Sequence, residues 1–478
     1  RLFICAFIIS IITTQNINGR IVMGKNKSEI NMCSGALLPA ILRFALPLMA
    51  SSILQLIFNA TDIIVVGRFA GENSLAAVGS NTSLINLMTN LFLGLATGTN
   101  VLVAQYIGAG NRVGLKRTIH TSLILGVISG LMLTVLGLLF AGQILKLMST
   151  PAEIINLSAL YLRVYFIGMP AMMVYNFGSA IMRAKGDTKR PLYYLSAGGV
   201  LNVILDLVFV IIFKMDVLGV AIATVVSQFV SATLILRSLM HEKDAFRVKV
   251  KDLKLNGATV KQILRIGIPA GIQGVVFSLS NVVIQSSINS FGATVMAGSA
   301  AAANLEGFVW VAMNAFNQAA LTFTGQNVGA GKYSRINKIM ITTESCEVFT
   351  GLILGVAIYM LYKPLLGIYS NVPEVIAEGH LRLKYICLTY FICGLMDCIV
   401  GSIRGMGAAI IPTIVSLLGA CGLRLVWVAT IFQIPQFHTL EILYLSYPVS
   451  WLITFAAHLV FYIILRRKFP SKDMVPNT

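Results

Sequence analysis

Charged side chains are scarce in this sequence. Only 11% of its 478 residues are Asp, Glu, Lys or Arg, whereas 57% are hydrophobic. Apolar runs of about 20 residues recur along the whole chain, and a helix of that length crosses the hydrocarbon core of a bilayer. The pattern excludes a soluble enzyme with one large core and predicts a polytopic membrane protein.

Signals of several other chemistries are missing as well. The seven cysteines include no CxxC pair and most lie inside apolar runs, which favours small core residues over disulfides or metal ligands. The two "GAG" segments, at 108–110 and 329–331, lack the flanking strand and the Lys of a phosphate-binding loop. We therefore expect no cofactor and no nucleotide site.

The first residues, "RLFICAFIISII", form an apolar run of about 12 residues, which is too short to span a bilayer and is similar to a signal-peptide core. A more ordinary start is Met23, which precedes the polar stretch "GKNKSEIN" and the first long apolar run. We interpret residues 1–22 as a leader or an upstream translation.

Apolar segments bounded by Gly, Pro or charge clusters predict an all-α protein with twelve transmembrane helices in two six-helix lobes. The lobes are expected at 32–240 and 262–467, joined by a linker at 241–261 and followed by a tail at 468–478. The helices are expected near residues 38–66, 75–105, 118–145, 154–181, 191–213, 217–238, 262–290, 295–325, 340–362, 378–403, 410–432 and 441–465.

Basic residues are concentrated in alternate connections between these helices. One set of connections carries most of the Lys and Arg, including the segment 237–265, whereas the other set holds only Arg68, Lys146, Lys214 and Lys363. Short cytoplasmic loops are the basic ones, so both termini and the linker are predicted to be cytoplasmic. This bias accounts for the net charge of +18 without a nucleic-acid partner.

The chain also contains an internal repeat. The segment "AQYIGAGNR" (104–112) matches "GQNVGAGKY" (325–333), and the separation between these two segments is here named the repeat offset. Arg183, Gly186 and Pro191 meet Arg404, Gly407 and Pro412 at the same offset. Six helices separate the two copies, so both halves have one membrane orientation and an axis along the membrane normal relates them. Arg183 and Arg404 are predicted to lie on cytoplasmic loops.

Polar residues inside the spans are candidates for function. An aspartate in the middle of a transmembrane helix costs about 2.5–3.5 kcal/mol on insertion scales, and Asp206 lies in such a helix, one turn after Asn202. Both can therefore serve one ion or proton. The alternatives are that Asn202 only satisfies Asp206 or joins two helices, and that Asp62 is an interface residue near the outer surface.

The internal repeat tests whether these polar groups are needed to build a lobe. Four polar positions of the first half have apolar or aromatic partners in the second half. They are Asp62, Asn202, Asp206 and Thr224, opposite Ile284, Leu423, Trp427 and Leu445. Because the second lobe dispenses with the polar groups, their presence in the first favours a site over a structural role.

Several motifs, in order and repeated, resemble a bacterial multidrug and toxic compound extrusion (MATE) transporter. The resemblance covers about residues 32–467 and depends on the following segments: "ALPLMASSILQLIFNATDIIVVGRFAG", "AQYIGAG" and "GQNVGAG", "RAKGDTKRP" and "RGMGAAIIP", and "GVAIATVVSQ". It implies a twelve-helix secondary antiporter, monomeric in the cytoplasmic membrane. Such a protein exports organic solutes, often cationic, against an inward flow of sodium ions or protons.

The resemblance also implies a cation site in the first lobe. The matching residues are Asp62, Asn176, Asn202, Asp206 and Thr224. Their carboxylate, amide and hydroxyl oxygens are hard donors that suit a sodium ion, and two neighbouring carboxylates also suit proton transfer. Gln55, Glu306 and Asp397 are predicted to line a substrate cavity, although Glu306 and Asp397 could instead pair with Arg or Lys.

Two alternatives belong to other functional classes. A lipid or lipid-linked oligosaccharide flippase of the same superfamily would present several cationic residues to phosphate, whereas the intramembrane charges here are interpreted as mostly acidic. A membrane-embedded enzyme, such as an acyltransferase or an aspartyl protease using Asp62 and Asp206, would carry a His and Asp pair or "GxGD" at membrane depth. Neither motif occurs there, and the "GD" at 186–187 is assigned to a loop.

Overall fold

The computed structural model describes residues 29–148 and 150–474. The predicted start at Met23 and the predicted leader at 1–22 lie outside the described residues. Within the described part the regular structure is helical, with sixteen α-helices and no strand. In chain order these are α1 (Leu37–Phe69), α2 (Glu72–Gly108), α3 (Arg112–Leu147), α4 (Ala152–Ile167), α5 (Met169–Lys185), α6 (Lys189–Leu207), α7 (Asp216–Met240), α8 (Gly257–Asn289), α9 (Ala293–Gly329), α10 (Ser334–Met360), α11 (Tyr362–Leu366), α12 (Pro373–Arg382), α13 (Tyr390–Gly405), α14 (Ile410–Ser416), α15 (Leu423–Ala429) and α16 (Leu440–Arg467).

The helices supply twelve membrane spans. Ten continuous helical stretches among the described residues are long and apolar enough to cross a bilayer, and the bent pairs α4–α5 and α12–α13 supply one span each. The prediction of an all-α polytopic protein with twelve spans is confirmed. Among the described residues of the linker, two short 3-10 turns, Asp244–Phe246 and Val250–Asp252, precede α8.

Side-chain caps fix where several helices begin. The carboxamide of Asn111 accepts from the backbone N–H of Gly114 (2.8 Å) at the start of α3, and Asn256 does the same for Thr259 (3.0 Å) at the start of α8. An Asn at this position satisfies a backbone donor that has no partner within the helix. The linker therefore ends at Asn256, and α8 begins five residues earlier than the sequence predicted.

Two predicted helices are bent where the sequence suggested single segments. The axes of α4 and α5 differ by 47° at Gly168, and those of the α12 and α13 segments differ by 42° near Thr389. Pro170, in the first turn of α5, has no N–H to continue the α4 ladder. In the second half, a π-helical turn at Leu383–Cys387 widens the helix before the bend.

The backbone repeats itself at the spacing found in the sequence. The bends at Gly168 and Thr389 are separated by the repeat offset. Three pairs of glycines at the same spacing have left-handed backbone with nearly equal φ: Gly71 and Gly292 (90° and 103°), Gly110 and Gly331 (64° and 66°), and Gly186 and Gly407 (95° and 90°). Turns at matching places with matching geometry confirm two pseudo-symmetric six-helix halves.

Small residues bring the two halves close together. A side chain on Gly94 or Gly98 of α2 would collide with the backbone of α8 around Gly267, so these helices touch backbone to backbone, as small residues allow in membranes. The contact that the pseudo-symmetry relates to this one is between α1 and α9. There the rings of Phe44 and Phe323 meet edge to face, with centroids 5.6 Å apart.

One face of the bundle, here named the terminal face, carries the connections 109–111, 186–188 and 330–333. Both described ends of the chain lie there: the N–H of Ile30 donates to the carbonyl of Gly186 (3.3 Å), and the N–H of Met474 donates to that of Gly331 (2.9 Å). The two ends therefore share one side of the membrane domain.

Two glutamines join the halves at the terminal face. Gln105 Nε2 donates to the carbonyl of Gly405 (3.0 Å), and Gln326 Nε2 donates to that of Ala184 (2.6 Å). The two donors are separated by the repeat offset, and so are the two acceptors. The pseudo-symmetry therefore relates the two hydrogen bonds, Gln105 to Gly405 and Gln326 to Ala184, which are here named the reciprocal glutamine bonds. Gly108 and Gly329 cross beside them, where a side chain would collide with the opposite helix. The two halves therefore touch at this end.

The placement of the arginines differs from the sequence interpretation. Arg183 and Arg404 lie in the last turns of α5 and α13 rather than on loops, and the side chain of Arg404 is buried and donates to Gln273 (2.7 Å). Arg382 and Arg424 are buried as well. Because these three buried arginines match three buried glutamates of the same half, Glu306, Glu344 and Glu347, the interpretation that the intramembrane charges are mostly acidic does not hold there. Hydropathy along a helix does not show which charged side chains turn inward.

Candidate functional site

The first half encloses a polar cavity of about 230 Å³ between α1, α2 and α4–α7. The structure brings the predicted residues of this half together at that cavity. Five of the six predicted residues line it: Gln55, Asp62, Asn176, Asn202 and Thr224. Asp206 is not part of the lining and lies instead against Asp62. Gln55 was predicted to belong to the substrate cavity and the others to the cation site, so both predicted roles fall on one cavity here.

The carboxyl groups of Asp62 and Asp206 meet at the edge of this cavity. They lie within hydrogen-bonding reach of each other, with 9% of Asp62 and none of Asp206 exposed. Asp62 Oδ1 and both carboxylate oxygens of Asp206 have no hydrogen-bond donor from the described protein. Two carboxylates this close repel each other unless a proton or a cation lies between them. The pair can therefore hold one positive charge.

Asp206 reaches this position because of the local shape of its helix. It occupies the last turn of α6, which continues into a π-helical turn at Val208–Ile212. Such turns are rare and are frequent at functional sites. Asn202 is one turn earlier and 5% exposed, and its amide nitrogen has no partner in the described protein. Asn202 thus lines the cavity, and Asp206, one turn later on the same helix, lies against Asp62.

The remaining polar groups leave their oxygens available. Asn176 Nδ2 donates to the carbonyl of Met172 (2.8 Å) within α5, and Thr224 Oγ1 donates to that of Val220 (2.9 Å) within α7. Because these donors bond within their own helices, the carboxamide oxygen of Asn176 and the hydroxyl oxygen of Thr224 remain available as acceptors. Oxygen donors of this kind coordinate hard cations.

An aromatic wall of the cavity was missed in the sequence. Tyr161 and Tyr165, one turn apart in α4, stack with ring centroids 5.8 Å apart, and both line the cavity together with Phe58 and Gln228. Gly199 accommodates the ring of Phe58, because a Cβ at that position would collide with it. The signal was two tyrosines at helical spacing in an apolar segment, which does not by itself show the direction in which they point.

The two other predicted cavity residues lie in the second half, away from Gln55. Glu306 Oε1 and Oε2 accept from Nε and Nη2 of Arg382, both at 2.9 Å, and Arg382 also donates to Ser299 (2.8 Å). The backbone carbonyl of Asp397 accepts from Asn317 Nδ2 (2.6 Å). A substrate role for Glu306 and Asp397 stays a prediction, and the carboxylate of Glu306 is occupied by a bidentate ion pair.

Two of the positions equivalent to the cation site are packed in the second half. Ile284 is fully buried in an apolar cluster with Leu443 and Tyr444, and Trp427 donates its indole N–H to the carbonyl of Ile442 (3.0 Å). Apolar packing therefore replaces the polar groups at these two positions, whereas the other two equivalent side chains, Leu423 and Leu445, are exposed. The same scaffold thus forms with apolar side chains where the first half has Asp62 and Asp206.

Comparisons with known proteins agree with this architecture. The family model MatE matches residues 47–208 and again 269–430, which together are more than half of the chain. The probable multidrug resistance protein YoeA of Bacillus subtilis (strain 168) is 28% identical over 420 residues, covering 86% of this chain and 90% of that protein.

Solved structures share the fold. A MOP superfamily transporter from Pyrococcus furiosus, described as having reversed polarity in its binding pocket, superposes with a TM-score of 0.87 at 21% identity. A MATE protein in the straight conformation gives 0.86 at 21% identity, and each match covers 93% of this chain and 99% of the other. The family model matches once in each half of the repeat, so the chain belongs to the MatE family of multidrug and toxic compound extrusion (MATE) transporters and is a membrane transporter, not an enzyme.

Proposed function

We propose that this transporter is a secondary antiporter that exports organic, cationic, drug-like solutes across the cytoplasmic membrane, driven by an inward flow of sodium ions or protons. The observation that carries the proposal is a pair of buried carboxyl groups: Asp62 lines the cavity and Asp206 lies against it. No ion pair found among the described residues involves either of them. The similarity to the probable multidrug resistance protein of B. subtilis supports the substrate class.

Coupling follows from the charge of this pair. A cation or proton bound between Asp62 and Asp206 removes their repulsion, and it also removes the negative charge that attracts a cationic solute. The ion and the solute therefore compete for one cavity, where Gln55, Tyr161 and Tyr165 provide polar and aromatic contacts for the solute. An organic cation is attracted to aromatic faces by their quadrupole.

Alternating access requires that the ion and the solute favour different conformations. The reciprocal glutamine bonds close the terminal face, so this conformation corresponds to a state that is shut on that side. An ion that binds from the opposite side releases the solute there, and reopening of the terminal face then admits the next solute. We place the terminal face in the cytoplasm, because the basic connections lie on it.

A flippase for phosphate-bearing lipids is less well supported. Phosphate recognition uses Arg or Lys donors, and the described residues that line the first-half cavity include neither. In the second half, Arg382 is held by Glu306, and Arg424 donates to Ser450 (2.8 Å) with its guanidinium 4.3 Å from the ring centre of Tyr447. We therefore retain the cation-coupled antiporter, acting as a monomer.

Efflux from proteoliposomes tests the proposal. Purified protein is reconstituted, and export of a cationic dye is measured with an imposed sodium gradient, an imposed proton gradient, or neither. We expect one gradient to drive wild-type efflux and the Asp206→Asn variant to lose gradient-driven efflux by at least about 100-fold, because coupling needs the second carboxylate. Asp216→Asn, which changes an exposed acid at the start of α7, is the control. Normal coupled efflux by Asp206→Asn would show that the site is wrongly assigned.

A further inference from the structure

The second half contains a buried group of potential metal ligands that the proposed transport cycle does not use. Glu344 and Glu347 lie one turn apart in α10, and Cys398 faces them from α13. One carboxylate oxygen from each glutamate and the Cys398 sulfur lie within 4.8 Å of one another. Glu344 is 8% exposed, Glu347 1% and Cys398 not at all. The three side chains therefore converge on one point inside the lobe.

The carboxylates of this group are unsatisfied. Both oxygens of Glu344 and Oε2 of Glu347 are buried without a hydrogen-bond donor from the described protein. None of the ion pairs found within 29–148 and 150–474 involves either residue. An isolated buried carboxylate is strongly disfavoured unless it binds a cation or takes up a proton. Glu306 shows the contrasting case, since Arg382 pairs with it fully.

The internal repeat shows that the fold does not need these groups. At the equivalent positions of the first half, earlier in the chain by the repeat offset, stand Leu123, Gly126 and Phe177. Phe177 and Leu123 are buried in apolar clusters, and the ring of Phe177 packs directly over Gly126. The equivalent crossing between α3 and α5 is therefore built from hydrophobic contacts alone. Hydrophobic packing is therefore enough to hold two such helices together, and Glu344, Glu347 and Cys398 are not needed for that purpose.

We propose that Glu344, Glu347 and Cys398 form a metal site for a divalent transition ion of the zinc class. Zinc takes thiolate and carboxylate ligands and often uses three protein ligands with one open position. A thiolate beside two carboxylates favours such an ion over sodium or magnesium, which prefer oxygen donors only. On binding, the thiol releases its proton to solvent. The inference is independent of the cation site proposed in the first half.

The position of the group indicates how an ion reaches it. Glu344 lies about 15 Å along α10 from Ser334 at the terminal face, at 1.5 Å of rise per residue, and it keeps more exposed surface than Glu347 or Cys398. An ion from the terminal face therefore meets Glu344 first. The two deeper ligands complete the coordination, with Glu347 packed beside Gly394 of α13, where a larger residue would collide with its side chain.

Cobalt titration of the purified full-length protein in detergent tests the site. Co²⁺ is the probe, because bonding to a thiolate gives a sulfur-to-cobalt charge-transfer absorption. We expect wild-type protein to bind one Co²⁺ with this absorption and Zn²⁺ to displace it. Cys398→Ser should abolish the charge-transfer band. Glu347→Gln should weaken Co²⁺ binding at least about tenfold, because loss of even a group that only supports a ligand lowers metal affinity by about 10- to 100-fold.

Two matched variants serve as controls. Cys421→Ser changes another buried cysteine of the second half, and Asp206→Asn changes the first-half site; both should keep the band. The proposal is overturned if wild-type protein binds neither Co²⁺ nor Zn²⁺, or if the band persists in Cys398→Ser. Should Cys398→Ser fail to fold, as judged by its gel-filtration profile, unchanged Co²⁺ affinity in Glu344→Gln and Glu347→Gln overturns it equally.

Discussion

At the scale of single residues, the same residue type has different chemistry in the two halves. Asp62 and Asp206 lie against each other, and no ion pair among the described residues involves them. Glu306, in contrast, accepts from two nitrogens of the Arg382 guanidinium. A buried carboxylate with a bidentate partner is neutralised within the protein and does not require an external ion. The partner, rather than the acid itself, decides which carboxylates are available for coupling.

The ion pair gives a prediction about stability. Arg382→Gln leaves Glu306 buried without its partner, and we expect it to lower the free energy of unfolding by about 3–5 kcal/mol. Replacement of both residues, Arg382→Met with Glu306→Leu, should restore most of this loss. The measurement is the thermal-unfolding midpoint in detergent. A Glu306→Gln variant with normal stability and weakened dye binding would instead assign Glu306 to the substrate.

At the scale of helices, the sequence predicted where spans occur but not how they are shaped. Apolar runs predicted the segments 154–181 and 378–403, and the structure divides each into two helices with bends of 47° and 42°. Pro170 was visible in the sequence, but Pro is common in transmembrane helices and does not always bend them. At Thr389 no proline marks the bend, which follows a π-helical turn.

The reciprocal glutamine bonds give a prediction about conformation. Each hydrogen bond contributes about 1 kcal/mol, so Gln105→Ala with Gln326→Ala should shift the balance toward an open terminal face by about 30-fold. Spin labels at Arg112 and Lys338, near the starts of α3 and α10, should report a longer distance population. Gln436→Ala, an exposed glutamine between α15 and α16, is the control. An unchanged distance distribution in the double variant would exclude a gating role.

At the scale of the whole molecule, ion pairs at the terminal face connect the linker to two helices of the first half. Glu242, just after α7, accepts from Lys185 Nζ (2.7 Å) and from Arg190. Burial raises the pKa of Glu242, but the hydrogen bond from Lys185 and the charges of Arg190 and Lys185 outweigh it, so the pKa lies below its ordinary value. This ion pair ties the beginning of the linker to α5 and α6.

The lowered pKa sets the pH dependence of this contribution. Because the folded pKa is below the ordinary value of about 4.3, the stabilisation is present at neutral pH and is lost as the pH falls through the folded pKa. We expect Glu242→Gln to lower stability by about 1–3 kcal/mol at pH 7. The difference from wild type in thermal midpoint should shrink in acid. A difference that is constant with pH would show that charge is not its cause.

The amino-acid sequence by itself determined the membrane class, the number of spans, the internal repeat and the identity of the polar residues in the first half. These properties depend on local composition and on spacing along the chain, which hydropathy reports directly.

Only the tertiary structure decided which side chains meet. It brings Asp206 against Asp62 and pairs Arg382 with Glu306. It also orients Tyr161 and Tyr165 toward the cavity and brings Cys398 to Glu344 and Glu347 on another helix. The reason is physical: nearly all residues of a transmembrane helix are apolar, so periodicity hardly distinguishes its faces. The rotation of each helix is set by packing against neighbours that are distant in sequence.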